Sequence, residues 1–165
     1  MKQNGEVYTH QFRITAADSF EITNLILNER ANESQLQSQT NGWSTGKQVY
    51  NGMVFSQALN AVLSTVQTFL NAIAESKRPL IYWMVGIESG GRVLTHDHNQ
   101  SDWSGVFYPN SIDNEDGGKI LFDDGTIIRP KAGLLVMFKG DLAHRVTKYT
   151  GTAPRMSIAF NRLGG

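Results

Sequence analysis

The sequence predicts a mainly β fold, an antiparallel jelly roll with helices at its N-terminal end. Two observations carry this. From residue 80 onward, eight short apolar or alternating stretches follow one another, with glycine-bearing turns among them and no helical period. Ahead of residue 80 the apolar side chains instead recur every three or four positions, in two separate segments.

The first helix is predicted over 19–28, with Ser19 as its cap and Phe20, Ile22, Leu25, Ile26 and Leu27 as its apolar surface. His10, in a frayed front, is expected on the surface. The stretch 32–46 is rich in Gln, Ser, Asn and Thr and predicts a long loop, anchored to the body by Trp43. A second helix is predicted over 54–75, where Val54, Ala58, Ala61, Val62, Val66, Phe69 and Ile73 share one face and Pro79 follows as a stop. That single face predicts packing on a sheet.

Strands are predicted at 80–87, 92–98, 105–108, 119–122, 126–129, 134–138, 145–149 and 155–160. Gly90-Gly91, Gly117-Gly118 and Asp124-Gly125 mark turns, and the last joins two apolar triplets as a hairpin. One domain over 1–165 is expected, with 1–79 as a helical buttress and long loop and 80–161 as the jelly-roll core.

Hydrophobic content of 40% and charged content of 18% are those of a globular chain able to bury a core. Formal net charge is zero, so no global field favours nucleic acid or a membrane surface. Charge is uneven, however. Seven acids lie between Asp97 and Asp124 against Lys119 alone, and seven bases from Arg129 onward against Asp141 alone. Two solvated faces or an anion-binding mouth both fit this. Cysteine is absent, which excludes disulfides and thiolate metal sites. Residues 1–12 lack a secretory apolar core, and no run reaches the roughly 20 apolar residues of a membrane span. A soluble, cytoplasmic protein is expected.

Three of the four histidines carry the candidate site. Residues i and i+2 of a strand face the same way, so His96 and His98 can converge on one point, with His144 arriving from another strand. Such imidazoles suit a divalent transition metal with open coordination positions. The common Fe(II) set of two histidines and a carboxylate would need an acid, and Asp97 alternates away. The preferred set is therefore His96, His98 and His144, with Asp102 as reserve ligand. Arg155 and Ser157 share one strand face, and an inward arginine needs an anion. A dicarboxylate held by a bidentate guanidinium pair, with the Ser157 hydroxyl assisting, would supply it; a salt bridge to the acidic loops is the alternative. Trp83, Trp103 and Tyr108 are pocket candidates or core.

These motifs, in order, resemble the small H-x-H branch of the 2-oxoglutarate/Fe(II) oxygenases. The resemblance runs through His96-Asp97-His98, Ser104-Gly105-Val106-Phe107-Tyr108, Gly117-Gly118-Lys119-Ile120-Leu121-Phe122 and 130–138. It ends on Leu142-Ala143-His144-Arg145-Val146 and on 155–161, and Gly42-Trp43-Ser44 also matches. It implies a double-stranded β-helix, iron on His96 and His144, and the distal carboxylate of 2-oxoglutarate on Arg155. His98 stands where most members carry Asp or Glu. The cupins share the barrel, and Gly90, His96, His98 and Asp102 nearly reproduce their first motif. The Arg155-x-Ser157 ending favours the oxygenases.

The expected function is a dioxygenase using Fe(II), 2-oxoglutarate and O₂ to hydroxylate an unidentified substrate. A cupin-like metal protein without 2-oxoglutarate and a non-catalytic jelly-roll module are the other readings. The polar loop 32–46 and the acidic loop 110–117 are lid candidates, and no nucleic-acid or membrane partner is expected.

Overall fold

A computed structural model describes residues 1–30, 39–74 and 77–164. In chain order the elements are β1 (Lys2–Asn4), β2 (Val7–Gln11), α1 (Ala16–Glu29), β3 (Gln39–Ser44), β4 (Gln48–Val49), α2 (Gln57–Ile73) and β5 (Leu80–His96). Then come β6 (Ser101–Phe107), β7 (Ile120–Phe122), β8 (Ile127–Ile128), β9 (Leu134–Lys139), β10 (His144–Val146) and β11 (Arg155–Leu163). The strands form one rolled antiparallel sheet, β1-β2-β9-β6-β11-β5-β10-β7-β8, with β3 and β4 added along β5. This is a double-stranded β-helix.

Strand alternation splits the core in two. On β5 and β11 the even-numbered residues Tyr82, Met84, Met156, Ile158 and Phe160 pack with Ile22, Ile26, Leu59, Leu63 and Leu70 of the helices. The odd-numbered Trp83, Val85 and Ile87 point into the roll with Val106, Tyr108, Phe122, Phe138 and Val146. One sheet therefore buries a helix-covered face and a lumen-facing one, which is why its strands read as apolar runs.

Several expected boundaries shift. α1 begins three residues earlier than predicted, capped by Thr15, whose hydroxyl accepts from the Asp18 N–H while Asp18 answers to the Thr15 N–H. Ser19 lies inside that helix and donates instead to the Pro109 carbonyl at 2.6 Å. α2 is capped by Ser56, and Glu75, its expected last residue, lies outside the described residues. Part of the expected long loop is strand β3, and its 32–38 portion lies outside the described residues. The N-terminus is not frayed: β2 pairs with β9 along its whole length, and His10 stacks edge-on against Phe12.

The Gly90-Gly91 pair does not separate two strands. β5 runs through it, pairing with β11 over its first half and with β10 at its end, so one strand crosses from one side of the roll to the other. Trp43 of β3 lies over Gly86, where any Cβ would stand 2.2 Å from its ring. No described helix is long and apolar enough to cross a membrane.

Candidate metal and cosubstrate site

His96 is the last residue of β5 and lies directly opposite His144 on β10. His98 falls just beyond the strand predicted to contain it. Its backbone N–H donates to the Gly140 carbonyl at 2.7 Å, which ties it to the turn between β9 and β10. The three rings converge, with centroids 4.5 to 5.3 Å apart. One nitrogen from each lies within 4.8 Å of the others.

The rings are oriented for ligation. Nδ1 of His96 sits 2.8 Å from the Leu94 carbonyl, and Nδ1 of His144 sits 3.0 Å from the Leu142 carbonyl. A backbone acceptor at Nδ1 fixes its proton there and leaves Nε2 with a lone pair. Phe122 and Phe138 wall the His144 ring. Burial pushes His144 down to about 4, with the charge of His96 adding to the effect and the Leu142 carbonyl and Asp97 opposing it. Burial also pushes His98 down to about 3, helped by His144, His96 and Lys47. Both rings are neutral at physiological pH, the state a metal requires. The donor set fits a divalent transition metal with positions left open.

Asp102 does not join them. Its carboxylate meets the Lys139 ammonium at 3.4 Å, so the cluster among the described residues is purely imidazole.

Arg155 opens β11 and is 2% exposed. Its Nε donates to the Gly118 carbonyl at 2.7 Å and Nη2 to the Tyr108 hydroxyl at 3.1 Å. No carboxylate among the described residues pairs with it. A buried guanidinium held by neutral acceptors alone keeps an uncompensated charge, which is costly unless an anion arrives. Gly118, at φ +67°, permits the approach, since a Cβ there would stand 3.0 Å from Arg155 Cδ.

Arg155, Ser157, the three histidines, Trp83 and Tyr108 line one cavity of about 90 Å³ inside the roll. Trp103 does not. It packs on the helix side, edge-on to Tyr8. Trp103 and Tyr108 are five positions apart in a nearly continuous extended segment, and an odd spacing sends them to opposite faces. Sequence reasoning missed Asn161, which lines the cavity and accepts from the Ser104 hydroxyl at 2.7 Å; its even spacing from Arg155 was the available signal. The acidic loop contains a 3₁₀ turn, Asn114–Asp116, fastened through the Asp116 carbonyl to the Thr150 N–H.

A family model described as "Putative 2OG-Fe(II) oxygenase" matches residues 113–161, the stretch holding His144, Arg155 and Ser157. No curated protein matches the sequence. Among solved structures, a Pseudomonas putida prolyl-4-hydroxylase superposes with a TM-score of 0.75 at 17% identity, covering 97% of this chain and 94% of that one. A prolyl hydroxylase from Trichoplax adhaerens, bound to a hypoxia inducible factor peptide fragment, gives 0.74 at 15%, covering 96% and 84%. The viral collagen prolyl hydroxylase of Paramecium bursaria Chlorella virus-1, in complex with 2OG, gives 0.71 at 12%, covering 96% and 97%. At these identities the likeness is one of fold.

Proposed function

We propose, taking this chain as a 2-oxoglutarate- and Fe(II)-dependent oxygenase, that His96, His98 and His144 hold the iron and that Arg155 holds the far carboxylate of the cosubstrate. The observation that carries the reading is the pairing, inside one cavity, of a neutral imidazole cluster with a buried arginine that no described carboxylate neutralises. A metal-binding jelly roll with no anionic cosubstrate has no need of that cation.

When bound, iron and 2-oxoglutarate supply the activation of O₂ by oxidative decarboxylation and the oxidation of a substrate C–H bond. This chain's residues supply position. The carbonyls of Leu94 and Leu142 set the His96 and His144 rings so that each offers Nε2. Gly118 and Tyr108 hold Arg155 in a fixed pose before any ligand arrives, so little ordering cost remains on binding. Burial holds the Tyr108 phenol in its protonated form against the nearby Arg155 charge. Because its oxygen accepts from Arg155, its own proton is available to a second carboxylate oxygen. Ser157, two residues along β11, brings a hydroxyl to the same wall. Val106 and Phe138 give the cavity an apolar surface that excludes water.

Incubation with 2-oxoglutarate, Fe(II) and O₂, followed by measurement of succinate, tests the reading. Metal-dependent succinate release is expected. Metal binding without any 2-oxoglutarate binding or turnover would favour the cupin-like reading instead.

A further inference from the structure

We propose that the substrate to be oxidised carries a carboxylate, recognised by Lys47 at the Trp83 side of the site, an inference that rests on the oxygenase reading and deepens it.

Lys47 lies in the turn between β3 and β4, and its ammonium stands 5.0 Å from the centre of the Trp83 ring. Trp83 also neighbours His98, with ring centroids 6.3 Å apart, so the cation stands one indole away from a metal-ligand candidate. Stacking on the indole holds the ammonium in place without neutralising it. The two ion pairs among the described residues, Arg30 with Glu88 and Lys139 with Asp102, leave Lys47 out. The Trp83 indole N–H, buried in the cavity wall, finds no acceptor among the described residues. The cation calls for an anion and the buried N–H for an acceptor, and a carboxylate can serve as either.

The charge of the site points the same way. Three neutral imidazoles bring no negative charge to a divalent metal, where a carboxylate ligand would have brought one. Arg155 adds a buried positive charge. The two carboxylates of 2-oxoglutarate and Asp97, whose charge acts on His144, together offset the metal and Arg155. Neither is then left to neutralise Lys47, so its ammonium attracts an anionic substrate.

The protein loaded with Zn(II) and N-oxalylglycine, which fill the metal and cosubstrate positions without turnover, allows a binding test. Isothermal titration with N-acetylated amino acids of each side-chain type and with their carboxamides reads the preference. The expected result is a carboxylate that binds about fivefold or more tightly than its amide, roughly the scale of one well-placed ion pair. Lys47→Met, which removes the cation without adding a repelling charge, should abolish that preference, and Lys47→Arg should keep it. Equal binding of acid and amide, no binding by any acid, or a preference that survives Lys47→Met would overturn the inference. Failure of the wild type to bind N-oxalylglycine would overturn the oxygenase reading and this inference with it.

Discussion

Arg155 donates to the Tyr108 hydroxyl at 3.1 Å in a buried corner of the roll, so the phenol oxygen serves as acceptor and its own proton is left to donate elsewhere. Tyr108→Phe removes a charge-assisted hydrogen bond, worth about 1.5 kcal/mol at the low end of such bonds. It should weaken 2-oxoglutarate binding about tenfold, whereas Arg155→Ala should weaken it by a hundredfold or more, on the order of the 2–5 kcal/mol of a truncated buried charge partner. Metal affinity should hold in both. Calorimetry with Zn(II) and N-oxalylglycine separates the two affinities, and an equal loss of metal and cosubstrate binding in Arg155→Ala would count against its role.

Gly118 sets the Arg155 pose. Its φ of +67° and the 3.0 Å clearance to Arg155 Cδ leave no room for a Cβ without movement. Gly118→Ala should cost about 1–2 kcal/mol of stability from the left-handed backbone alone and should also raise the KM for 2-oxoglutarate. Thermal unfolding and steady-state kinetics check the two effects. A variant that loses stability but keeps its KM would show that the side chain adjusts freely.

Asp102 and His98 divide cleanly as candidate ligands. Asp102→Asn loses a pairing with Lys139 and the attraction of its charge for the buried Arg162, but should leave metal affinity unchanged. His98→Ala removes a donor and should lower metal affinity by orders of magnitude. Metal titration by calorimetry gives the answer, and the opposite ranking would restore the carboxylate.

Part of this site was legible from period-two geometry, which puts Arg155 and Ser157 on one face of β11. The H-x-H spacing pointed to the right pair for an incomplete reason: β5 ends at His96, and His98 reaches the cluster from beyond it, tied by its backbone to Gly140. Strand alternation, applied to Trp103 and Tyr108, would have separated them. What was not legible came from tertiary pairing. β2 is a short, half-polar segment whose apolar half shows only against β9. Gly90-Gly91 reads as a turn because glycine pairs usually are turns, yet Gly90 at φ +91° bends β5 without ending it. Thr15 and Ser19 are both chemically fit to cap, and only Asp18, three residues after Thr15, favours the former.

Acid should destabilise the metal-free protein. In the unfolded chain both rings take a proton near pH 6.5. In the folded protein His144 resists until about pH 4 and His98 until about pH 3. Between those limits the unfolded state binds more protons, so stability is full above about pH 6.5 and falls as pH drops. Urea unfolding from pH 7.5 to 4.5 should show this decline, and His98→Phe should show a shallower one. An identical slope in that variant would mean that His98 is already charged when folded.

The most direct measurement is an anaerobic titration of the Fe(II)-loaded protein with 2-oxoglutarate, followed in the visible range. A weak, saturable charge-transfer absorption should appear in the wild type. It should vanish in His144→Ala and require far more 2-oxoglutarate in Arg155→Ala. An Fe(II)-loaded wild type that shows no such absorption at saturating 2-oxoglutarate, or one that keeps it without His144, would contradict the account.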